Sequence, residues 1–150
     1  MGNKKEMLYP EEIEILNFSI LSGEINNPEG FDNEYILKHD FSVDLKLGFN
    51  LEDSLIKSSI RIDVQTDCEG KNEEEARSGF EFLFLYRYEK LLDLVARTKN
   101  KEEVVLHPHL GNAISAITYS TSRGVLMTRF QGTAFKDFIL PVIPPDSLLE

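Results

Sequence analysis

Residues 41–49 alternate without a break: Phe41, Val43, Leu45, Leu47 and Phe49 fall on one face, Ser42, Asp44, Lys46 and Gly48 on the other. Successive strand side chains point to opposite faces, so this period of two predicts a half-buried β-strand. Residues 56–65 repeat the pattern, with Ile56, Ile60, Ile62 and Val64 opposite Lys57, Ser59, Arg61, Asp63 and Gln65. Asn50–Ser54 supplies the turn between the two strands. In residues 80–88, Phe80, Phe82, Phe84, Tyr86 and Tyr88 share one face while Leu83 and Leu85 stand on the other. Apolar groups on both faces predict a central strand. The preceding Glu69–Ser78 stretch reads as a solvated hairpin loop. An earlier strand over residues 11–22 changes phase, from Ile13 and Ile15 to Leu16, Phe18 and Ile20, which predicts a β-bulge near Leu16–Asn17.

Residues 23–38, with Gly23, Pro28 and Gly30, are too long for a hairpin turn and predict a crossover connection. Connections of that length are usually functional or pinned by their own side chains. This one carries Phe31, Tyr35, Ile36 and Leu37, which either fasten it to the core or stay partly exposed and bind. From Leu110 the period becomes helical. Leu110, Ala113, Ile114, Ile117, Thr121 and Val125 share one side, and Gly132 closes a helix predicted over 110–131. Ala116, Ser120, Gly124 and Thr128 form a ridge of small residues, and Tyr119, Leu126 and Phe130 a second apolar strip. A helix with two apolar strips needs more than its own sheet to cover it. Ala116, Tyr119, Ser120, Gly124, Leu126 and Phe130 are therefore the expected interface of a closed homo-oligomer, a dimer or tetramer, with a bulky residue at 124 expected to overpack. The prolines of Leu140–Pro145 require an extended segment, and Asp146 suits the cap of a terminal turn. The pattern as a whole predicts an α+β fold in one domain over residues 1–150: a four-stranded antiparallel sheet with a long helix packed on one face, residues 1–10 being disordered.

Composition narrows the function. A chain of 150 residues with 41% hydrophobic content suits one core. Its 16 basic and 26 acidic side chains leave a net charge of −10, which argues against nucleic acid as a partner. The imbalance is local: residues 1–75 hold 7 basic and 18 acidic groups, a net of −11, while residues 76–150 hold 9 and 8, a net of +1. An acidic rim of this kind favours basic partners. No apolar run approaches the ~20 residues that would span a bilayer, so no membrane insertion is expected. The start of the chain has no apolar signal core, and Cys68 is the only cysteine; both fit a reducing, cytoplasmic setting. Candidate chemistry is sparse. His107 and His109 offer two metal ligands where three or four are needed. Cys68 lies between Asp67 and Glu69, whose charges disfavour a thiolate. Neither a serine elbow nor a glycine-rich phosphate loop is present. A binding protein without catalysis, cofactor or metal is the expectation.

The order of parts resembles the SecB export-chaperone family over roughly residues 11–149. Four strands with a long crossover after the first are followed by a helix bearing Tyr119-Ser-Thr-Ser-Arg123 and Leu126. The Gly132-Thr-x-Phe135 turn, Leu140-Pro-Val and Asp146-Ser-Leu-Leu come next. These are similar to the family's phenylalanine-proline-tyrosine-alanine-arginine helix, glycine-threonine-phenylalanine turn, leucine-alanine-proline segment and aspartate-alanine-leucine helix start. The resemblance implies a cytoplasmic, typically tetrameric chaperone that holds non-native polypeptide clients for export, with the crossover lining the client groove at Phe31, Tyr35, Ile36 and Leu37. Some relatives serve toxin–antitoxin systems, so a dedicated partner-binding chaperone is one alternative; a small-ligand carrier with a pocket between crossover and sheet is another. The sequence stops at Glu150, before the family's second long helix and its basic, cysteine-bearing tail. That departure leaves hand-off to the export motor open and keeps client holding.

Overall fold

In the computed structural model, which describes residues 7–72, 74–97 and 104–149, four long strands form one sheet. They are β1 (Glu14–Asn26), β2 (Ile36–Asn50), β3 (Leu55–Cys68) and β4 (Arg77–Arg87), antiparallel throughout in the order β1-β4-β3-β2. Consecutive strands β1 and β2 thus lie at opposite edges, and the chain has to cross the sheet between them. Register follows from the alternation. Phe80, Phe82 and Tyr86 of β4 face Ile62, Ile60 and Ile56 of β3, and Leu45 of β2 faces Ile60 on the same side. All of these are buried, each contributing about 1.5–3 kcal/mol relative to an exposed position. Leu83 and Leu85, on the other side of β4, are half-buried between Ser19 and Ser59 and between Asn17 and Lys57. The bulge expected near Leu16 is present, and a second register shift follows at Leu21.

The crossover is shorter than the sequence suggested. Strand β1 runs on to Asn26 and β2 starts at Ile36, leaving residues 27–35, so Ile36 and Leu37 belong to the edge strand. Hydrogen bonding explains the extension: β1 keeps its partners down to Asn26 opposite Arg77, and Ile36 pairs with Cys68. A small hairpin of β5 (Val95–Arg97) and β6 (Val104–Leu106) follows a 3-10 turn at Leu91–Leu94. Strands this short carry too little periodicity to be read from sequence. Leu8 and Tyr9, placed in the disordered stretch by the sequence reading, pack instead: Leu8 lies against the core and the Tyr9 amide donates to the Tyr88 hydroxyl at 3.2 Å. Residues 1–6 lie outside the described residues.

The helix α1 spans Pro108–Arg129. Proline at its first turn loses no intrahelical bond, and the His109 amide donates to His107 Nδ1 at 3.2 Å. Its roll on the sheet differs from the apolar pattern. Leu110 and Ile114 are buried as expected, but Ala113, Ile117 and Val125 are only half-buried and Thr121 is exposed. The inward face holds Ser115, Thr118, Tyr119, Ser122 and Leu126. Hydroxyls tolerate this position because each is paired. Ser115 Oγ donates to the Gly111 carbonyl at 2.8 Å and Ser122 Oγ to the Thr118 carbonyl at 2.7 Å. Thr118 Oγ1 donates to Ser58 Oγ at 3.0 Å and accepts from the Tyr86 hydroxyl at 2.7 Å.

The expected second strip is also corrected. Tyr119, Leu126 and Phe130 are buried within their own chain and offer no surface to a partner. After Gly132, whose φ of +79° turns the chain back, Ala134, Phe135 and Leu140 close over the core. The Phe130 and Phe135 rings sit 5.2 Å apart, and the Tyr119 hydroxyl donates to the Pro141 carbonyl. A 3-10 turn at Pro145–Leu149, containing Asp146, ends the described chain with Leu148 buried. Gly124 faces open space, with nothing within 4 Å of the position its Cβ would take, so a larger residue there overpacks nothing within the chain.

Candidate functional site

Among the described residues, an apolar surface stands exposed at each edge of the sheet. The first lies where the crossover meets β2. Phe31, Tyr35 and Ile36 are half-buried, Phe31 and Ile36 against the core, while Leu37 is 63% exposed at an irregularity in the β2–β3 register. The structure therefore divides the four candidates: Phe31 and Ile36 pack on the core, Tyr35 lies half-buried beside Gly70 and Lys71, and Leu37 stands free. Four residues beyond Leu37 on the same strand, Phe41 is unexpectedly exposed as well. The alternation assigned it to the core face, yet it is 40% exposed because β2 is an edge strand and the helix does not reach its start. Its ring lies 5.8 Å from that of Phe138, which also packs at a tilt 5.3 Å from His39. His39 Nε2 meets the Ala134 carbonyl at 3.3 Å, tying β2 to the turn after the helix. Ile139, next to Phe138 in the chain, is exposed. Nothing in the local sequence marks Phe138; only the path of the C-terminal segment brings it here.

Carboxylates surround this surface. Glu29, Asp32, Glu34, Asp40 and Glu69 are exposed around the crossover. Lys38 bridges Asp40 at 3.5 Å and Asp67 at 3.9 Å, and both carboxylates stay about half open to solvent or more. The outer backbone edge of β2, from Ile36 to Asn50, pairs with no other strand among the described residues.

The second surface is a trough of about 500 Å³ between β1 and α1, lined by Phe18, Ile20, Val125, Thr128 and Arg129. Ile15, Leu16 and Leu21 of the same edge strand are exposed as well. With Ser115, Thr118 and Ser122 rolled inward, Val125 is left half-buried and lines the trough. Ser120 and Gly124 of the small ridge are exposed and Ala116 half-buried. Of the six expected interface residues, these three remain available.

Groups with chemical potential are otherwise engaged. Burial pushes the Cys68 thiol pKa up, aided by Glu75; a bond from Asn72 opposes the shift. The direction agrees with the sequence expectation, but its main cause is burial and the carboxylate concerned is Glu75, not Asp67 or Glu69. Glu75 is itself held below its ordinary value, chiefly by the Thr66 hydroxyl at 2.6 Å and also by the Cys68 amide at 3.0 Å, against the cost of burial. His107 caps α1 and meets the His109 ring edge-on, and among the described residues no group of three or more His, Cys, Asp or Glu is placed to hold a metal ion. No helix among them is long and apolar enough to cross a membrane.

The sheet order, the crossover and the single long helix define a SecB-like α+β fold. The Mycobacterium tuberculosis Rv1957 SecB-like chaperone, solved with a ChAD peptide from the Rv1956 HigA1 antitoxin, superposes with a TM-score of 0.59 at 12% identity. The match covers 89% of this chain and 91% of that one. A protein of unknown function from Streptococcus agalactiae, 11% identical, covers 88% of this chain and 96% of its own with a TM-score of 0.36. No protein-family model matches the chain, and no curated protein matches it in sequence.

Proposed function

We propose that this protein is a chaperone-like, non-enzymatic binder of non-native or extended polypeptide, acting as a homo-oligomer. The carrying observation is the long free edge of β2, with Leu37 and Phe41 exposed beside the half-buried Phe31, Tyr35 and Ile36. An extended segment pairs its main chain with such an edge and places alternate side chains on the apolar patch, which gives affinity without strict sequence preference. The surrounding carboxylates favour segments carrying Lys or Arg. The peptide held by the SecB-like neighbour supports the same reading. In this assembly the trough between β1 and α1 receives a second copy. A free edge bearing Ile15, Leu16, Phe18, Ile20 and Leu21 is otherwise open to uncontrolled pairing.

A fluorescein-labelled peptide rich in Leu, Phe, Lys and Ser tests this reading by anisotropy. Serine at both Leu37 and Phe41 should weaken its binding by about 1–2 kcal/mol, the size expected for anchor side chains, with little change in Tm. Unaltered binding removes this surface from the reading. A dedicated partner, such as one antitoxin, would show itself as a single stoichiometric complex and indifference to the general peptide. The carrier alternative is the weakest: the cavity beside the crossover, about 380 Å³, is lined largely by polar Glu29, Lys71, Asn72 and Glu74, a poor setting for an apolar ligand.

A further inference from the structure

We propose that the crossover, residues 27–35, is a strap that half-covers the polypeptide site and is latched shut by Asn72; this rests on the polypeptide-binding reading. None of its residues is fully buried, and only Phe31 packs against the core. Polar anchors hold the rest. At one end Asn27 Oδ1 accepts from the Ala134 amide at 2.7 Å. Further along, Asn72 from the β3–β4 connection pairs with both backbone groups of Asp32. The Asp32 amide donates to Oδ1 at 3.1 Å, and Nδ2 donates to the Asp32 carbonyl at 2.8 Å. A side-chain amide offers one acceptor and donors in a peptide-like arrangement, so Asn72 acts as a one-residue strand partner. The Glu69 amide adds a bond to the Tyr35 carbonyl at 3.0 Å.

The two bonds between Asn72 and Asp32 lie at the surface, where water replaces them at small net cost, and such segments open locally without unfolding the sheet. Gly30, at φ +74° with open space around it, lets the strap bend. The cavity of about 380 Å³ already separates Pro28–Phe31 from Lys71, Asn72 and Glu74. Lifting about the Asn27 anchor frees Phe31 and Tyr35 and unroofs Ile36, the three candidates left half-buried in the closed form. Binding is then limited by the fraction of molecules with the strap open.

Asn72→Ala removes both bonds to Asp32 while leaving every apolar contact. Hydrogen exchange at Asp32 and Tyr35 should rise by about tenfold or more, and the Kd for the labelled peptide should fall by about three- to tenfold as the open fraction grows. Adding Phe31→Ser should cancel the gain. The opposite arm locks the strap with Asp32→Cys and Asn72→Cys in a Cys68→Ser background. The oxidised protein should bind several-fold more weakly, and reductant should restore it. Faster exchange with an unchanged or higher Kd overturns the strap, because Asn72 then only orders the loop; unchanged exchange overturns it too. If neither the parent chain nor Asn72→Ala binds the peptide, the polypeptide reading fails with it. Equal binding by both overturns the strap alone.

Discussion

Thr118 stands mid-helix yet faces the sheet, relaying a hydrogen bond from the Tyr86 hydroxyl to Ser58 inside the core. Thr118→Val keeps the shape and strands the phenol, so it should cost about 1–3 kcal/mol and lower Tm accordingly. Tyr86→Phe should cost less, because Thr118 still donates to Ser58. Burial also pushes the Tyr86 pKa up to about 12, against a partial offset from Thr118. In the unfolded chain the phenol titrates near ~10. The folded state therefore keeps a proton that the unfolded state releases. This contribution is intact below pH ~10 and is lost as pH rises toward the folded value, so stability should fall over that window. Chemical denaturation across the alkaline range should show a shallower decline in Tyr86→Phe. An equally steep decline would assign the effect to other groups.

At the scale of elements, the exposed face of α1 separates two roles that its sequence mixed together. Nothing surrounds Gly124 within its own chain, so Gly124→Ala should stabilise the fold by about 0.8–1 kcal/mol through helix propensity alone. Gly124→Leu adds bulk on the side that carries Ser120 and Thr128, next to the trough. It should leave the unfolding midpoint of dilute protein unharmed while weakening self-association. A Leu variant that is destabilised even when dilute would place Gly124 against its own chain and contradict the geometry. The bulges of β1, at Leu16 and Leu21, interrupt its ladder with β4 and twist the edge. Bulges limit indiscriminate strand addition, so a partner on this edge has to match its shape.

For the whole molecule, two apolar edges and a charge of −10 pull in different directions. The β1–α1 trough favours association of like chains, whereas net charge opposes it, so self-association should strengthen with salt. Light scattering at micromolar concentration should report a dimer or tetramer, and Phe18→Lys, which puts charge on the trough floor, should shift it toward monomer. A stable monomer for the parent chain under all salt conditions would remove the second copy from the proposed function. Peptide binding should show the reverse salt dependence, since carboxylates around β2 draw in basic segments through interactions that ions screen.

Periodicity by itself determined β2, β3 and β4, the bulge at Leu16 and the presence of α1, because one buried face imposes a period on any regular element. It also exposed the oddity of large apolar groups in a connection. Tertiary structure decided what those groups do. Phe41 has the pattern of a core residue and becomes surface because its strand is an edge, and strand order leaves no trace in local alternation. Ser115, Thr118 and Ser122 have the pattern of a solvated face and turn inward because carbonyls one turn back, Ser58 and Tyr86 satisfy their hydroxyls. That roll fills the core side with Tyr119 and Leu126 and leaves Val125 to line the trough. Hydropathy along a chain records which side chains avoid water; it does not record which polar groups will find partners when water is removed.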